Sequence, residues 1–217
     1  MVCKNKYYRY SKISEAKFRH LIRCFALDLN ATDSADMTVL SVRSVNEIFL
    51  KMRVRIAEFC EQGSPYIRGN EINDSLFDLN PVYVECPKDR SNKSNTIIFG
   101  VFLEDKKVYT EIVPDRWNHA LQEIIKKGAV ADISNYLNGR HSYHGLVDVK
   151  NAKHLCLKNG DDTVNLFWKV ARRRLIKFHG VPEHTFYLHL KEAEFRFNHQ
   201  HENLYKKLLN ILRTNPI

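Results

Sequence analysis

At 217 residues, with 44% hydrophobic and 27% charged residues and 12 Phe, 10 Tyr and 2 Trp, the chain has a globular composition, which excludes an intrinsically disordered one. Lys and Arg number 34 against 25 Asp and Glu, a formal charge of +9, so a polyanion such as nucleic acid is the expected partner, although a basic balance alone also suits proteins that bind none. No apolar run is long enough for a membrane span, the opening Met-Val-Cys-Lys-Asn-Lys carries no signal-peptide core, and Cys3, Cys24, Cys60, Cys86 and Cys156 are dispersed with no CxxC, so a cytosolic protein with free thiols is expected.

A cap at Ser14 followed by Phe18, Leu21, Ile22, Phe25 and Ala26 at helical spacing predicts a first helix. After the polar break at Asp28 to Asn30 comes a short segment over 31–38. Ser41 then reads as the cap of a longer helix through Val45, Ile48, Met52, Ile56 and Phe59. Three helices with two tight joints suggest a helix-turn-helix over residues 1–62. The turn cluster Gln62-Gly63-Ser64-Pro65 marks the boundary with a second domain over 63–217. There the pattern predicts strands over 71–77, 96–103 and 107–113 as a meander, the first two separated by a polar surface loop over 78–95. A helix over 117–127, a fourth strand over 129–137 and a weak fifth within 147–157 follow. A basic amphipathic helix over 163–178 and helical residues over 183–213 complete the chain. This order is that of an α/β layer fold with a mixed sheet.

Several stretches, in order along almost the whole chain, carry a family resemblance. They are Phe18 to Leu27 and Val45-Asn46 through Arg53 to Glu58, then Phe99-Gly100-Val101-Phe102 and Lys107 to Asp115. Toward the C-terminal side they are Phe167-Trp168, Ala171 to Leu175, Lys177-Phe178, Gly180-Val181-Pro182, Glu183 to Glu192 and Phe195 to His199. In these stretches the chain resembles bacterial insertion-sequence transposases of the DDE type, in a branch related to Merlin elements. The resemblance implies a helix-turn-helix DNA-binding module over 1–62. It also implies an RNase-H-like catalytic domain over 63–217, with a five-stranded mixed sheet flanked by helices and a helical C-terminal extension. The implied partner is DNA, at the terminal inverted repeats of an insertion sequence, with a homo-oligomer or an oligomer with active transposase as the assembly. Active relatives use two Mg²⁺ ions, about 3.5 to 4 Å apart, to activate the nucleophile and stabilise the leaving oxygen. Three carboxylates hold those ions because anionic oxygens offset their charge.

All three carboxylate positions are asparagine here. The first, in an Asp-Glu-Ser context, falls on Asn73 within Glu71 to Phe77. The second, counted back from Tyr143 and Gly145, falls on Asn138. The third lies two residues before the Phe-Trp pair and falls on Asn165. Three neutral amides supply no net charge to hold two dications, so no metal cofactor is expected. Asp74 is a poor substitute because neighbours on a strand face opposite sides. Asp161 and Asp162 lie about one helical turn before Asn165 and read more simply as helix-start acids. Other departures point the same way. The family's longer connection before the last core helix is reduced to Lys158-Asn159-Gly160. Val39 occupies a joint that often carries Gly, and Ser34 sits where an apolar side chain is normally buried.

Two basic segments are candidate DNA contacts. Lys169, Arg172, Arg173, Arg174 and Lys177 lie on the helix framed by Val164, Phe167, Trp168, Ala171, Leu175 and Phe178, and their expected role is phosphate contact. Arg43 and Ser44 open the candidate recognition helix, with Lys51, Arg53 and Arg55 further along. The alternative for both segments is a solvated outer face. His199-Gln200-His201 near Tyr205 is only faintly similar to the HUH nucleases, because the pair falls in a helical, polar tail. The sequence thus reads as a transposase-like DNA-binding protein made catalytically inactive by Asn at the triad positions. One alternative is an active transposase using Asp74, Asp132 or Asp162; another is a non-catalytic partner or inhibitor of active transposases.

Overall fold

The computed structural model describes residues 5–64, 97–113, 118–128, 143–157, 162–176 and 183–217. They form a mixed α/β chain: α1 (Glu15–Ala26), α2 (Ala31–Thr38), α3 (Val42–Gln62), β1 (Ile98–Glu104), β2 (Lys107–Ile112), α4 (Asn118–Lys127), β3 (Gly145–Asp148), β4 (Lys153–Cys156), α5 (Thr163–Leu175), α6 (Glu183–Asn198) and α7 (Leu204–Thr214). Two compact units result, Met1–Gly63 with Leu188–Ile217, and Ser64–Tyr187. No helix among the described residues is long and apolar enough to cross a membrane.

In the first unit the helices begin where short polar side chains can satisfy their free N–H groups. Ser14 caps α1, Asn30 caps α2 and Ser41 caps α3, each accepting from the backbone N–H three residues on. Phe18, Leu21, Ile22 and Phe25 of α1 pack against Val45, Ile48, Phe49, Met52 and Ile56 of α3. The short α2 contributes Ala35 as its one buried apolar side chain, too little to cover both stripes. Phe195 of α6 and Leu208, Ile211 and Leu212 of α7 complete that core. The C-terminal helices, expected as an extension of the second domain, therefore pack with the N-terminal helices.

A buried polar cluster fastens them. Glu192 of α6 accepts from Arg53 Nε at 2.7 Å and from Arg196 Nε at 2.9 Å. Arg196 also donates to the carbonyls of Phe25 (2.6 Å) and Ala26 (3.2 Å) in the last turn of α1, the Phe25 carbonyl accepting from the Asp28 backbone N–H as well (2.9 Å). Arg53, expected on the solvent side of α3, is thus an internal residue. Arg55 bonds Glu58 and the Pro216 carbonyl. Val39, between α2 and α3, is left-handed at φ 51° and ψ 52°. Ser34 is fully buried, its hydroxyl turned back to the Asn30 carbonyl at 2.7 Å.

Among the described residues of the second unit, four strands form one antiparallel sheet in the order β2-β1-β3-β4. The β1–β2 hairpin turns through Asp105 and Lys106, both at positive φ (49° and 63°), the backbone that a two-residue hairpin with right-handed strand twist requires. Along β1, β2 pairs from Phe99 to Glu104 and β3 pairs from Ile98 to Val101. Among the described residues the second neighbour of β1 is β3, along Ile98 to Val101. The weak single strand expected within 147–157 is instead a hairpin of β3 and β4. Asp148 folds it by accepting from the Asn151 backbone N–H (3.2 Å) and carboxamide (2.6 Å), while Ala152 takes φ 53°. The expected strands over 71–77 and 129–137 lie outside the described residues.

Helices cover both faces of the sheet. Ile98, Phe102 and Leu146 pack with Leu121, Ile124 and Ile125 of α4. On the other face Phe99 meets Phe167 and Trp168 of α5 and Phe186 of α6. Two glycines permit the close layers. A Cβ on Gly100 would lie 2.0 Å from the Tyr143 ring, and one on Gly145 would lie 2.6 Å from Val164 of α5.

Candidate functional site

The contact of Gly145 with Val164 fixes how α5 lies on the sheet, and through it Asn165, the residue expected at the third carboxylate position. Register pairs Val147 with His154 and Gly145 with Cys156, so His154 and Cys156, two residues apart, share the face that meets α5. Asn165 sits above them. Its Oδ1 accepts from His154 Nε2 at 2.6 Å and from Cys156 Sγ at 3.2 Å, and its Nδ2 donates to Asp162 Oδ1 at 3.4 Å. Burial, followed by the charge of Asp162, pushes the Cys156 thiol up, which favours the protonated donor that this contact needs. A carbonyl already accepting two hydrogen bonds has both lone pairs engaged.

This arrangement does not fit a divalent cation. A hard dication needs anionic oxygens, whereas the described position offers a neutral amide flanked by an imidazole N–H and a thiol. Asp162 is the carboxylate in the cluster, and its contact is to the amide nitrogen. Among the described residues no group of three or more His, Cys, Asp or Glu could hold a metal ion. Asn73 and Asn138 lie outside the described residues, as do Asp74 and Asp132.

The remainder of α5 separates two faces. Val164, Phe167, Trp168, Ala171 and Leu175 are buried. Lys169, Arg172 and Arg173 are exposed on the outside together with Leu166 and Val170, while Arg174 is half-buried. Lys177 lies outside the described residues. Three of the five basic side chains predicted on this helix are thus on open surface.

In the first unit Arg43 is exposed at the first turn of α3. Ser44 belongs to the cap: its backbone N–H donates to Ser41 Oγ at 3.1 Å and the two hydroxyls bond at 2.8 Å. Lys51 is held by Glu47 at 3.2 Å and Tyr8 Oη at 3.0 Å. Partial burial lowers its pKa, but the bonds to Tyr8 and Glu47 outweigh it and leave the ammonium above its ordinary value. The cation therefore persists across the neutral range. His199 is tied to Glu202 and packs against the Phe195 ring, in a turn rather than on a strand.

The sequence reading overlooked the His154–Cys156 pair, although alternation along a predicted strand was enough to put both on one face. It also overlooked the basic, tyrosine-rich loop before α1, whose signal is Lys6-Tyr7-Tyr8-Arg9-Tyr10-Ser11-Lys12 with no acid. A Haemophilus influenzae protein named as an uncharacterized transposase-like protein is 34% identical over 101 residues, covering 42% of this chain and 81% of the relative. No known protein-family profile matches the chain, and no solved structure matches it.

Proposed function

We propose that this chain, which belongs to the transposase-like proteins, is a DNA-binding protein of an insertion sequence that has lost metal-dependent strand chemistry. One observation carries the reading. The oxygen of the Asn165 amide, at the position we assign to the third carboxylate, is taken up by His154 and Cys156. Mg²⁺ in active relatives supplies Lewis acidity at the phosphodiester. Here a neutral amide stands instead, its oxygen held by His154 and Cys156 and its nitrogen turned to the Asp162 carboxylate.

DNA affinity does not depend on that cluster. Lys169, Arg172 and Arg173 on α5 and Arg43 on α3 are exposed cations suited to phosphate contacts, each of which releases counterions on binding. We read α1 to α3 as a helix-turn-helix whose α3 enters the major groove, with Arg43 near base edges and Ser44 fixing the helix start. The second unit we read as an RNase-H-like domain of DDE type. The β1–β2 hairpin and the helices on both faces support this reading, while the antiparallel β3 beside β1 departs from the usual sheet.

The test combines binding with chemistry. Full-length protein titrated with labelled duplex is expected to bind with an affinity falling log-linearly in salt. Removing Lys169, Arg172 and Arg173 together should lower the slope by about 0.9 per lost phosphate contact. No nicking is expected in Mg²⁺ or Mn²⁺. Metal-dependent nicking by the wild-type chain would overturn the inactive reading in favour of a site rebuilt from other acids. A salt-independent affinity would overturn the DNA-binding one.

A further inference from the structure

Residues 5–13, ahead of α1, fold into a closed loop. The buried Asn5 carboxamide holds it from inside: Oδ1 accepts from the backbone N–H groups of Tyr7 (3.0 Å) and Tyr8 (3.3 Å), and Nδ2 donates to the Ile13 carbonyl (3.2 Å). Backbone bonds from Arg9 N to Ile217 O (2.8 Å) and from Ile217 N to Tyr7 O (3.0 Å) fasten it to the segment after α7. The Tyr8 hydroxyl, accepting from Lys51, fastens it to α3.

The loop's three tyrosines have different environments. The rings of Tyr7 and Tyr8 lie 6.3 and 5.8 Å from that of Phe18, against the core. Tyr10 is 105% exposed and stands at φ 56°, a left-handed backbone that an aromatic residue adopts only when its surroundings impose it. Water gains nothing from a projecting ring, and the fold gains nothing from one it does not touch. Arg9 and Lys12 beside it are exposed, and no acidic residue lies between Asn5 and Ser14.

We propose that Tyr10 is a stacking contact for an unpaired base of DNA, with Arg9 and Lys12 on the flanking phosphates. The ring supplies a flat π face, which an unpaired base can cover and a base within a duplex, already stacked on both sides, cannot. The two cations neutralise backbone charge on either side of the stacked nucleotide. An acidic protein surface would use the cations but would have no need of a rigidly presented ring. The inference rests on the DNA-binding reading above and names a contact within it.

The test uses full-length protein and two fluorescent probes, a blunt random-sequence duplex and the same duplex with a single-stranded tail. Tyr10→Ala is expected to weaken binding to the tailed probe about tenfold, the loss of one base stack, with the salt slope unchanged. Tyr10→Phe should retain wild-type affinity. Arg9→Ala with Lys12→Ala should lower the salt slope by about 0.7 per lost contact to the single strand. Thermal melts of each variant, expected to match wild type, exclude misfolding as the cause. If the wild-type chain binds both probes and Tyr10→Ala binds as wild type does, stacking is refuted while DNA binding stands. An equal loss on both probes also refutes it, by assigning Tyr10 to a duplex groove. Failure of the wild-type chain to bind either probe would overturn the DNA-binding reading, and this contact with it.

Discussion

Val39 tests whether the joint between α2 and α3 stores strain. Its backbone lies at φ 51° and ψ 52°, and its side chain is 81% exposed, so a β-branched residue stands in a left-handed conformation with almost no burial to offset it. Left-handed backbone costs an L-residue about 1–2 kcal/mol because Cβ crowds the next carbonyl oxygen. Val39→Gly removes that crowding. The extra freedom glycine gives the unfolded chain returns about 0.4–1 kcal/mol of the gain, leaving a net stabilisation of about 0.5–1 kcal/mol. The Lys17 contact at 3.2 Å is to the Val39 carbonyl and survives the change. For a chain of this length that is roughly 1–4 °C in Tm, with the urea midpoint rising at constant m-value. Val39→Ala keeps a Cβ and should gain almost nothing, which separates strain relief from loss of an exposed apolar group. A Val39→Gly chain that melts at or below the wild-type temperature, or a Val39→Ala chain that gains as much, refutes the account.

Much of the fold was legible because the relevant signals are local. The caps at Ser14 and Ser41 and the apolar stripes of α1, α3 and α5 lie where the sequence places them, since capping and helical periodicity are properties of neighbouring residues. The same locality explains the misses. Periodicity shows that α6 and α7 each have an apolar side, but not that Phe195, Leu208 and Leu212 cover a core begun more than a hundred residues earlier. The β3–β4 turn has no Asn-Gly or Gly-Gly signal, because the side chain of Asp148 makes it and Ala152 takes the positive φ. At the candidate site the neutrality of Asn165 was readable from residue type. Its bonds to His154 and Cys156 were not, because they depend on the absence of a side chain at Gly145 to let Val164 approach the sheet.

Two further perturbations probe the two units. Glu192→Ala removes the acceptor shared by Arg53 and Arg196, side chains only 19% and 15% exposed, and leaves two largely buried cations without it. The expected loss is about 3–5 kcal/mol by urea unfolding, and a loss under 1 kcal/mol would show that the cluster does not fasten α6 to α1 and α3. Tyr143 probes the second unit through pH. Its ring packs 4.5 Å from Phe102 and over Gly100, and burial, followed by the charge of Glu111 and a hydrogen bond to it, raises the phenol well above its ordinary value. A group whose pKa is raised on folding contributes stability that is fully present below its unfolded pKa and lost as pH climbs through the folded one. The unfolded value is about 10, so the loss begins there and reaches about 1.4 kcal/mol at about pH 11, where the unfolded chain has released a proton that the folded chain keeps. Tyr143→Phe has no such proton. The stability difference between wild type and Tyr143→Phe, measured by urea midpoints, should be constant up to about pH 9 and then shift by about 1.4 kcal/mol against the wild type by about pH 11. Parallel curves through that range would mean that Tyr143 ionises as readily folded as unfolded, and that the hydroxyl lies in water rather than beneath the sheet.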